Sequence, residues 1–256
     1  MIKNFIKQRL QPSQRLKLRA YLNNFKAFFV SDDLNKLGKI YGTDKSGGHS
    51  YTVHYMTHFK KFKRKKINLL EIGVGGYDNP LYGGNSLRMW KKYFSFGHIF
   101  SFDIHDKSAH EEKRIKIFKG GQTDVKFLNK LCSDIGDLDI VIDDGSHVNS
   151  HVIQTFNILF PKLKDGGIYV IEDTQTSYWS SFGGDSKILE NPNTIVNYFK
   201  GFINGLNHKE FVIENYQPNF FDKRIISIHF YHNLIFIYKG SNDEPSNCLV
   251  NNQWPQ

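Results

Sequence analysis

Two acidic segments that follow apolar, strand-like runs contain most of the residues that could do chemistry. The segment 143–147 reads Asp-Asp-Gly-Ser-His and ends the run 138–143, whereas 172–174 reads Glu-Asp-Thr and ends the run 167–172. In a doubly wound α/β fold these strands are neighbours, so their carboxyl ends meet where ligands bind. Four carboxylates there would raise one another's pKa unless a divalent cation offset their repulsion. Such ligands suit Mg²⁺, because zinc favours Cys or several His.

Within this centre we expect Asp144 to reach the metal and His147 to act as a base. Successive side chains of a strand point to opposite faces, so only one of Asp143 and Asp144 reaches the ion directly. Gly145 permits a sharp exit from the strand, after which His147 lies over the same cleft. A reference pKa of about 6.5 suits histidine for removing a proton from a hydroxyl group. A lone histidine is more often structural, but the acidic strand ends beside it favour catalysis.

A glycine-rich segment follows the first predicted strand and indicates a nucleotide-like pocket. Gly73 and Gly75 place small residues where a backbone turns sharply and approaches a ligand. The full GxGxxG pattern is absent, because position 78 is Asp78, and this disfavours NAD. Asp103 ends the second strand, where a carboxylate can accept both ribose hydroxyls or serve only as a turn residue.

Polar residues also follow the third predicted strand. Gln122 and Asp124 lie where they could contact an adenine edge. Asp124 is equally suited to cap the helix that follows, and the two roles are compatible.

Short apolar runs alternate with helix-period stretches, which is typical of βα units and a parallel sheet. The predicted strands are 67–72, 98–104, 114–119, 138–143 and 167–172. The predicted helices run from Ser86 to Phe94, from Asp124 to Cys132, from Ser150 to Leu163 and from Asn193 or Thr194 to Asn207. Two further strands, 225–231 and 234–239, flank a tight turn at His232-Asn233. The sequence therefore predicts a doubly wound, Rossmann-like, mostly parallel seven-stranded sheet with a C-terminal antiparallel hairpin.

Composition and charge indicate a globular protein with a basic N-terminal extension. The 256 residues are 39% hydrophobic and 23% charged, and the net charge is +9. Seven Lys or Arg residues precede the first acid, Asp32, so much of the excess is local. Residues 14–30 have helical apolar spacing, and Pro12 separates them from a shorter first helix. This amphipathic helix could cover the main domain, pair with another subunit or rest on a membrane surface.

The predicted domains are the extension 1–37, a catalytic domain 38–240 and a loose tail 241–256. Two isolated cysteines and the lack of a long apolar stretch predict a cytoplasmic protein. We expect a homo-oligomer. The basic run 60–66 favours a solvated connector over a nucleic-acid contact, and no RNP, helix-turn-helix or zinc signature supports nucleic-acid binding.

The Glu71-x-Gly-x-Gly segment, Asp103 and the terminal hairpin resemble class I S-adenosylmethionine-dependent methyltransferases over about residues 67–240. Four further motifs are similar to metal-dependent macrolide-sugar O-methyltransferases of the mycinamicin and demethylmacrocin type, over about 38–240. These motifs are 41–49 with Tyr51 and Tyr55, Ser86–Trp90, 143–147 and 172–179. The resemblance implies S-adenosylmethionine and Mg²⁺ as cofactors and a sugar hydroxyl of a glycoside, nucleotide sugar or surface polysaccharide precursor as the acceptor.

The resemblance also implies roles for individual residues. Mg²⁺ is held by Asp144, Glu172 and Asp173, while His147 deprotonates the sugar hydroxyl. The expected cofactor contacts are Tyr41, Thr43, Lys45, Glu71, Gly73, Gly75, Ser86, Arg88, Asp103, Gln122, Asp124 and Asp143. The expected acceptor contacts are His49, Tyr55, Gln175, Tyr178 and Trp179.

A different enzyme class remains open, since cephalosporin-hydroxylase-like proteins share this general sequence style. A non-haem iron site requires two His and one carboxylate, and only His147 lies at the proposed centre unless His49 joins it. Activity with Fe²⁺ compared with Mg²⁺ separates the two classes.

Overall fold

The computed structural model describes residues 12–255, and for 12–17 and 19 it describes the backbone alone. The chain forms two compact units. The first contains the described residues up to Lys66 together with Gly84–Gly97, and the second contains Ile67–Gly83 and the residues from His98 onward. The shorter first helix predicted before Pro12 lies outside the described residues.

The second unit is built on a seven-stranded sheet. The strands are β1 (Asn68–Ile72), β2 (His98–Asp103), β3 (Ile115–Lys119), β4 (Leu138–Asp143), β5 (Leu163–Glu172), β6 (Ile225–Tyr231) and β7 (Leu234–Lys239). Their order is β3-β2-β1-β4-β5-β7-β6. The first five strands are parallel, and β7 pairs antiparallel with both β5 and β6. The predicted doubly wound, mostly parallel sheet with a C-terminal hairpin is therefore confirmed.

Both units contain α-helices. They are α1 (Pro12–Phe28), α2 (Leu34–Tyr41), α3 (Tyr51–Phe59), α4 (Asn85–Tyr93), α5 (Val125–Ile135), α6 (Asn149–Leu159), α7 (Ile195–Lys200) and α8 (Phe220–Arg224). Among the described residues, no helix is both long and apolar enough to cross a bilayer.

The core of the second unit lies on the central strands. Val141 of β4 and Tyr169 of β5 are paired in register and fully buried. Phe156 of α6 packs on Tyr169 with ring centroids 5.1 Å apart. Strands buried on both faces are typical of parallel sheets, and each large apolar side chain removed from water stabilises the fold by roughly 1.5–3 kcal/mol. This packing fixes the carboxyl ends of β4 and β5 side by side.

Several element boundaries differ from the predicted ones. β5 begins at Leu163 rather than at 167, because Leu163 already pairs with Leu138 before the register shifts. The Lys-Asp-Gly sequence that follows Leu163 interrupts the apolar pattern and hides this start.

Two of the predicted helix starts are confirmed and two are wrong. Asp124 caps α5, and α7 begins after Thr194 as expected, although it ends at Lys200 rather than near 207. The predicted caps Ser86 and Ser150 are wrong, because α4 follows Gly84 and α6 follows Val148, neither with a capping side chain.

In the first unit an aromatic cluster joins α3 and α4. The ring centroids of Tyr55 and Trp90 are 4.9 Å apart, and those of Phe59 and Trp90 are 5.7 Å apart. The predicted amphipathic helix forms as α1, and its larger apolar side chains are exposed: Leu18, Tyr21, Leu22, Phe25 and Phe28.

Parts of the predicted loose tail make hydrogen bonds. The Asn242 side chain donates to the carbonyls of Gly205, Leu206 and Asp222. The Asn252 side chain donates to two more carbonyls. The proposed domain bounds 1–37, 38–240 and 241–256 stay a prediction.

Candidate active site

The turn after β1 passes directly against the residue that follows β4. Gly73 has φ 90°, and a Cβ atom there would lie 2.3 Å from the carbonyl oxygen of Asp144. Only glycine combines this backbone conformation with so close an approach. Because β1 pairs with both β2 and β4, this turn lies where the winding of the sheet reverses and ligands of such folds bind.

Asp103 supports the same turn. Its Oδ2 accepts a hydrogen bond of 3.1 Å from the amide of Val74, and its Oδ1 accepts one of 2.9 Å from the amide of His105. The turn role considered for this carboxylate is therefore present. Each carboxylate oxygen can accept a second hydrogen bond, so ribose binding is compatible with these contacts and stays a prediction.

Gln122 braces the turn after β4. Its Oε1 accepts a 2.7 Å hydrogen bond from the amide of Ser146, and its Nε2 donates to Asp143 at 3.3 Å and to Thr155 Oγ1 at 3.2 Å. A Cβ on Gly145 would come within 2.4 Å of Gln122 Oε1. This bracing role was missed, because nothing in the sequence links Gln122 to residues more than twenty positions away. The adenine contacts predicted for Gln122 and Asp124 stay predictions, and Asp124 accepts from the Phe127 amide as a cap.

Asp143 and Asp144 occupy different environments. Burial raises the pKa of Asp143 to about 7, and the charge of Asp144 acts in the same direction. The buried Tyr169 hydroxyl lies beside Asp143 but outside hydrogen-bonding geometry. The Asp144 side chain is partly exposed, so it faces the cleft while Asp143 faces the core.

Asp144, His147 and Asp173 form a compact group at the ends of β4 and β5. His147 Nε2 lies 3.8 Å from Asp144 Oδ1 and 3.7 Å from Asp173 Oδ2. One potential ligand atom from each residue lies within 4.8 Å of the others. Among the described residues, this is the group of three acidic or histidine side chains that could hold a metal ion. Glu172 is buried at the end of β5 and is not part of it, so its predicted ligand role stays a prediction.

Two members of this group have strained backbones. His147 has φ 56° and Asp173 has φ 53°, both in the left-handed region that favours glycine. Such conformations cost about 1–3 kcal/mol each and occur where a particular side-chain position is needed. The sequence does not reveal this strain, because a glycine would have indicated a left-handed backbone and neither position is glycine.

The predicted acceptor residues of the second unit lie directly after Asp173. Gln175 and Tyr178 belong to the 3₁₀ helix Thr174–Tyr178, and Trp179 follows it. Tyr178 and Trp179 are 43% and 49% exposed, which leaves their rings accessible to a ligand.

Glu71, which is buried in β1, and Gly75, which follows β1 with φ 76°, belong to the second unit, and their cofactor roles stay predictions. The remaining predicted site residues belong to the first unit. The Tyr41 hydroxyl donates to Asn24 at 2.8 Å, and Arg88 donates to the Gly84 carbonyl at 2.9 Å. The others are buried Thr43 and Lys45, His49 stacked on Tyr51, Tyr55 in the aromatic cluster, and Ser86 in the first turn of α4. Their cofactor and acceptor roles stay predictions.

The chemistry of the second unit's site fits the cofactors that the sequence implies. The carboxylates of Asp144 and Asp173, with potential ligand atoms within 4.8 Å of one another, offer the oxygen donors that a divalent cation such as Mg²⁺ prefers, and His147 Nε2 lies beside both. The turn at Gly73 lets backbone approach a ligand without an intervening side chain. The sheet order, the glycine turn after β1 and the acid at the end of β2 define a class I methyltransferase fold.

Comparisons with known proteins identify the family. The chain is 45% identical over 214 residues to mycinamicin VI 2''-O-methyltransferase from Micromonospora griseorubida, covering 83% of this chain and 54% of the relative. It is 45% identical over 203 residues to 8-demethyl-8-alpha-L-rhamnosyl tetracenomycin-C 2'-O-methyltransferase from Streptomyces olivaceus, covering 79% and 53%. No protein-family model matches the chain.

A solved structure agrees with these relatives. The MycE methyltransferase of mycinamycin biosynthesis, in complex with Mg and SAH, superposes with a TM-score of 0.81 at 45% identity, covering 83% of this chain and 56% of that one. The chain belongs to the macrolide-sugar O-methyltransferase family of the mycinamicin and demethylmacrocin type. It spans about half the length of the curated relatives it matches.

Proposed function

We propose that this protein is an S-adenosylmethionine- and Mg²⁺-dependent O-methyltransferase acting on a sugar hydroxyl. The acceptor class is a glycoside, a nucleotide sugar or a surface polysaccharide precursor. The observation that carries the proposal is the group of Asp144, His147 and Asp173, which lies at the carboxyl edge of a methyltransferase sheet. The names of its relatives, which methylate sugar positions, support the same reaction.

The residues that would hold the two cofactors lie on the same edge of the sheet. Asp144 and Asp173, with Glu172, would bind Mg²⁺, while the turn at Gly73 and the Asp103 carboxylate would contact S-adenosylmethionine. When bound, S-adenosylmethionine supplies an electrophilic methyl group and Mg²⁺ stabilises negative charge on a hydroxyl oxygen.

In this proposal His147 removes the proton from the acceptor hydroxyl. Its Nε2 faces the carboxylates of Asp144 and Asp173 at 3.8 and 3.7 Å. A positioned base of this kind contributes about 10²–10⁴-fold to the rate.

Other residues keep His147 in place. The bond from the Ser146 amide to Gln122 fixes the residue before His147 in the chain. The Ser146 hydroxyl also lies 2.9 Å from Nδ1 of His151. A base held within a fixed turn loses little orientational freedom when the acceptor arrives, which lowers the entropic part of the barrier.

The partners and location that we propose are those expected from the sequence. The acceptor is a small molecule or glycan rather than a nucleic acid, and the protein acts as a homo-oligomer in the cytoplasm. Both cysteines, Cys132 and Cys248, are free thiols, which is consistent with a reducing compartment. The exposed apolar side chains of α1 are available for a subunit or a membrane surface.

Incubation with labelled S-adenosylmethionine, Mg²⁺ and a panel of glycosides and nucleotide sugars tests the proposed reaction. We expect label in at least one sugar, loss of transfer with a chelator, and recovery with Mg²⁺ rather than Fe²⁺. His147→Ala should reduce transfer by about 10²–10⁴-fold while S-adenosylmethionine affinity stays within a few-fold. His98→Ala is the matched control, because His98 is exposed at the amino end of β2, the opposite edge of the sheet. Transfer in His147→Ala at close to the wild-type rate, or a panel without any labelled sugar, contradicts the proposal.

A further inference from the structure

A cavity of about 700 Å³ lies beside the proposed metal group, and its lining extends from the predicted acceptor contacts Gln175, Tyr178 and Trp179 to residues that have no role in the reaction described above. One wall is the segment 174–179, which starts one residue after Asp173. The other wall is the turn of the β6–β7 hairpin. The Thr174 amide donates to the carbonyl of Asn233 at 3.3 Å, which joins the two walls at their base.

The lining of the cavity combines aromatic faces with polar groups. Tyr178, Trp179 and Phe230 supply aromatic rings that are 43%, 49% and 37% exposed. His232 and Asn233 supply polar groups on the hairpin turn. Aromatic faces pack against the C–H faces of sugar rings, while polar side chains bind the hydroxyl groups around the ring.

Gln175 indicates which ligand the cavity prefers. It lines the cavity, and its Oε1 is buried without a hydrogen-bond partner in the described part of the chain. A buried acceptor left unsatisfied costs about 1–3 kcal/mol, so a rotation of the Gln175 amide that turns this oxygen to a ligand hydroxyl in the cavity is favoured. A ligand without hydroxyl groups would leave this oxygen unsatisfied and would also remove Asn233 and His232 from water.

The size of the cavity points to more than one ring. Ligand pockets of about 300–1,000 Å³ hold drug-sized molecules, and this cavity lies within that range. A single sugar that places its hydroxyl at His147 does not need this additional volume.

We propose that the cavity binds a second sugar ring of the acceptor, next to the ring that is methylated. The preferred acceptor is then a sugar within an oligosaccharide rather than a monosaccharide. This inference rests on the proposed function, because it takes the group around His147 as the point of methylation.

Isothermal titration separates this inference from the methyl transfer itself. The full chain is titrated with methyl glycosides of rhamnose, glucose and galactose, and with the corresponding 1→2-, 1→3- and 1→4-linked disaccharide glycosides. We expect at least one disaccharide to bind tenfold or more tightly than its monosaccharide. Phe230→Ala and Trp179→Ala should each reduce that ratio to threefold or less. Ile226→Ala is the matched control, because Ile226 is an exposed apolar residue of the same strand as Phe230 and does not line the cavity.

The outcomes distinguish the inference from the proposed function. If no disaccharide exceeds its monosaccharide by threefold, or if both aromatic variants retain the ratio, the cavity is not a second sugar site. The same conclusion follows if a sugar-free macrolide lactone displaces the disaccharide and binds more tightly. A disaccharide that binds as expected without being methylated would instead contradict the proposed reaction and leave the sugar site intact.

Discussion

The turn after β1 and the turns after β4 and β5 share a left-handed backbone but use different residues. Gly73 and Gly75, with φ 90° and 76°, serve the first turn, where the backbone itself must come close to a neighbour. His147 and Asp173, with φ 56° and 53°, serve the other two, where glycine would cost less. At Gly73 and Gly75 only the backbone is needed, whereas His147 and Asp173 keep a strained backbone where the proposed chemistry needs a side chain.

Substitution of His147 gives the largest expected effect and tests the comparison directly. His147→Gly and His147→Ala should both reduce methyl transfer by about 10²–10⁴-fold, because both remove the proposed base. The glycine variant should be the more stable of the two by about 1 kcal/mol, since the left-handed backbone is strained for alanine. Assays of transfer and chemical denaturation measure the two effects. Equal stability of the variants would show that the strain at His147 is not real.

Gly73→Ala should have the largest effect on stability. The new Cβ would meet the Asp144 carbonyl at 2.3 Å on a backbone with φ 90°, so the turn and the end of β4 must move apart. We expect a loss of about 3 kcal/mol or more in the free energy of unfolding, measured by denaturant titration. Gly183→Ala is the control, because it has φ 74° with nothing within 4 Å of the added Cβ and should lose only about 1 kcal/mol. Similar losses at the two positions would contradict the close-approach argument.

Substitution of Gln122 tests whether its hydrogen bonds support the strained turn after β4. Gln122→Leu removes the acceptor for the Ser146 amide and the donor to buried Asp143, so about 2–3 kcal/mol of stability should be lost. Methyl transfer should fall as well, because His147 follows Ser146 directly.

Gln154→Leu is the matched control for this experiment. The Gln154 side chain donates to the Thr123 carbonyl at an exposed position, and we expect a change below about 0.5 kcal/mol. A Gln122→Leu protein with normal stability and activity would show that the turn holds without its brace.

The fold was predictable because it depends on local patterns, whereas the support of the site depends on distant contacts. The apolar runs of β4 and β5 and the turn at His232-Asn233 predict the sheet correctly. Ser86 and Ser150 were wrong as caps, since a serine near a helix start need not cap it. The contact of Gln122 with Ser146 and the strain at Asp173 arise only when the strands are side by side, and single-sequence patterns do not encode them.

The pH dependence of Asp143 separates a buried acid from the acids that face the cleft. The pKa of Asp143 is raised from 3.8 to about 7. Its contribution to folding stability is therefore fully present below pH 3.8, where the acid is protonated in both the folded and the unfolded protein. This contribution is lost as the pH rises from the unfolded pKa of 3.8 through the folded pKa of about 7, by up to about 1.4 kcal/mol per pH unit. In chelator-treated protein, the wild type should therefore lose stability relative to Asp143→Asn between pH 4 and 7. Denaturation at several pH values measures this difference, and a constant difference would place Asp143 in a polar rather than a buried environment.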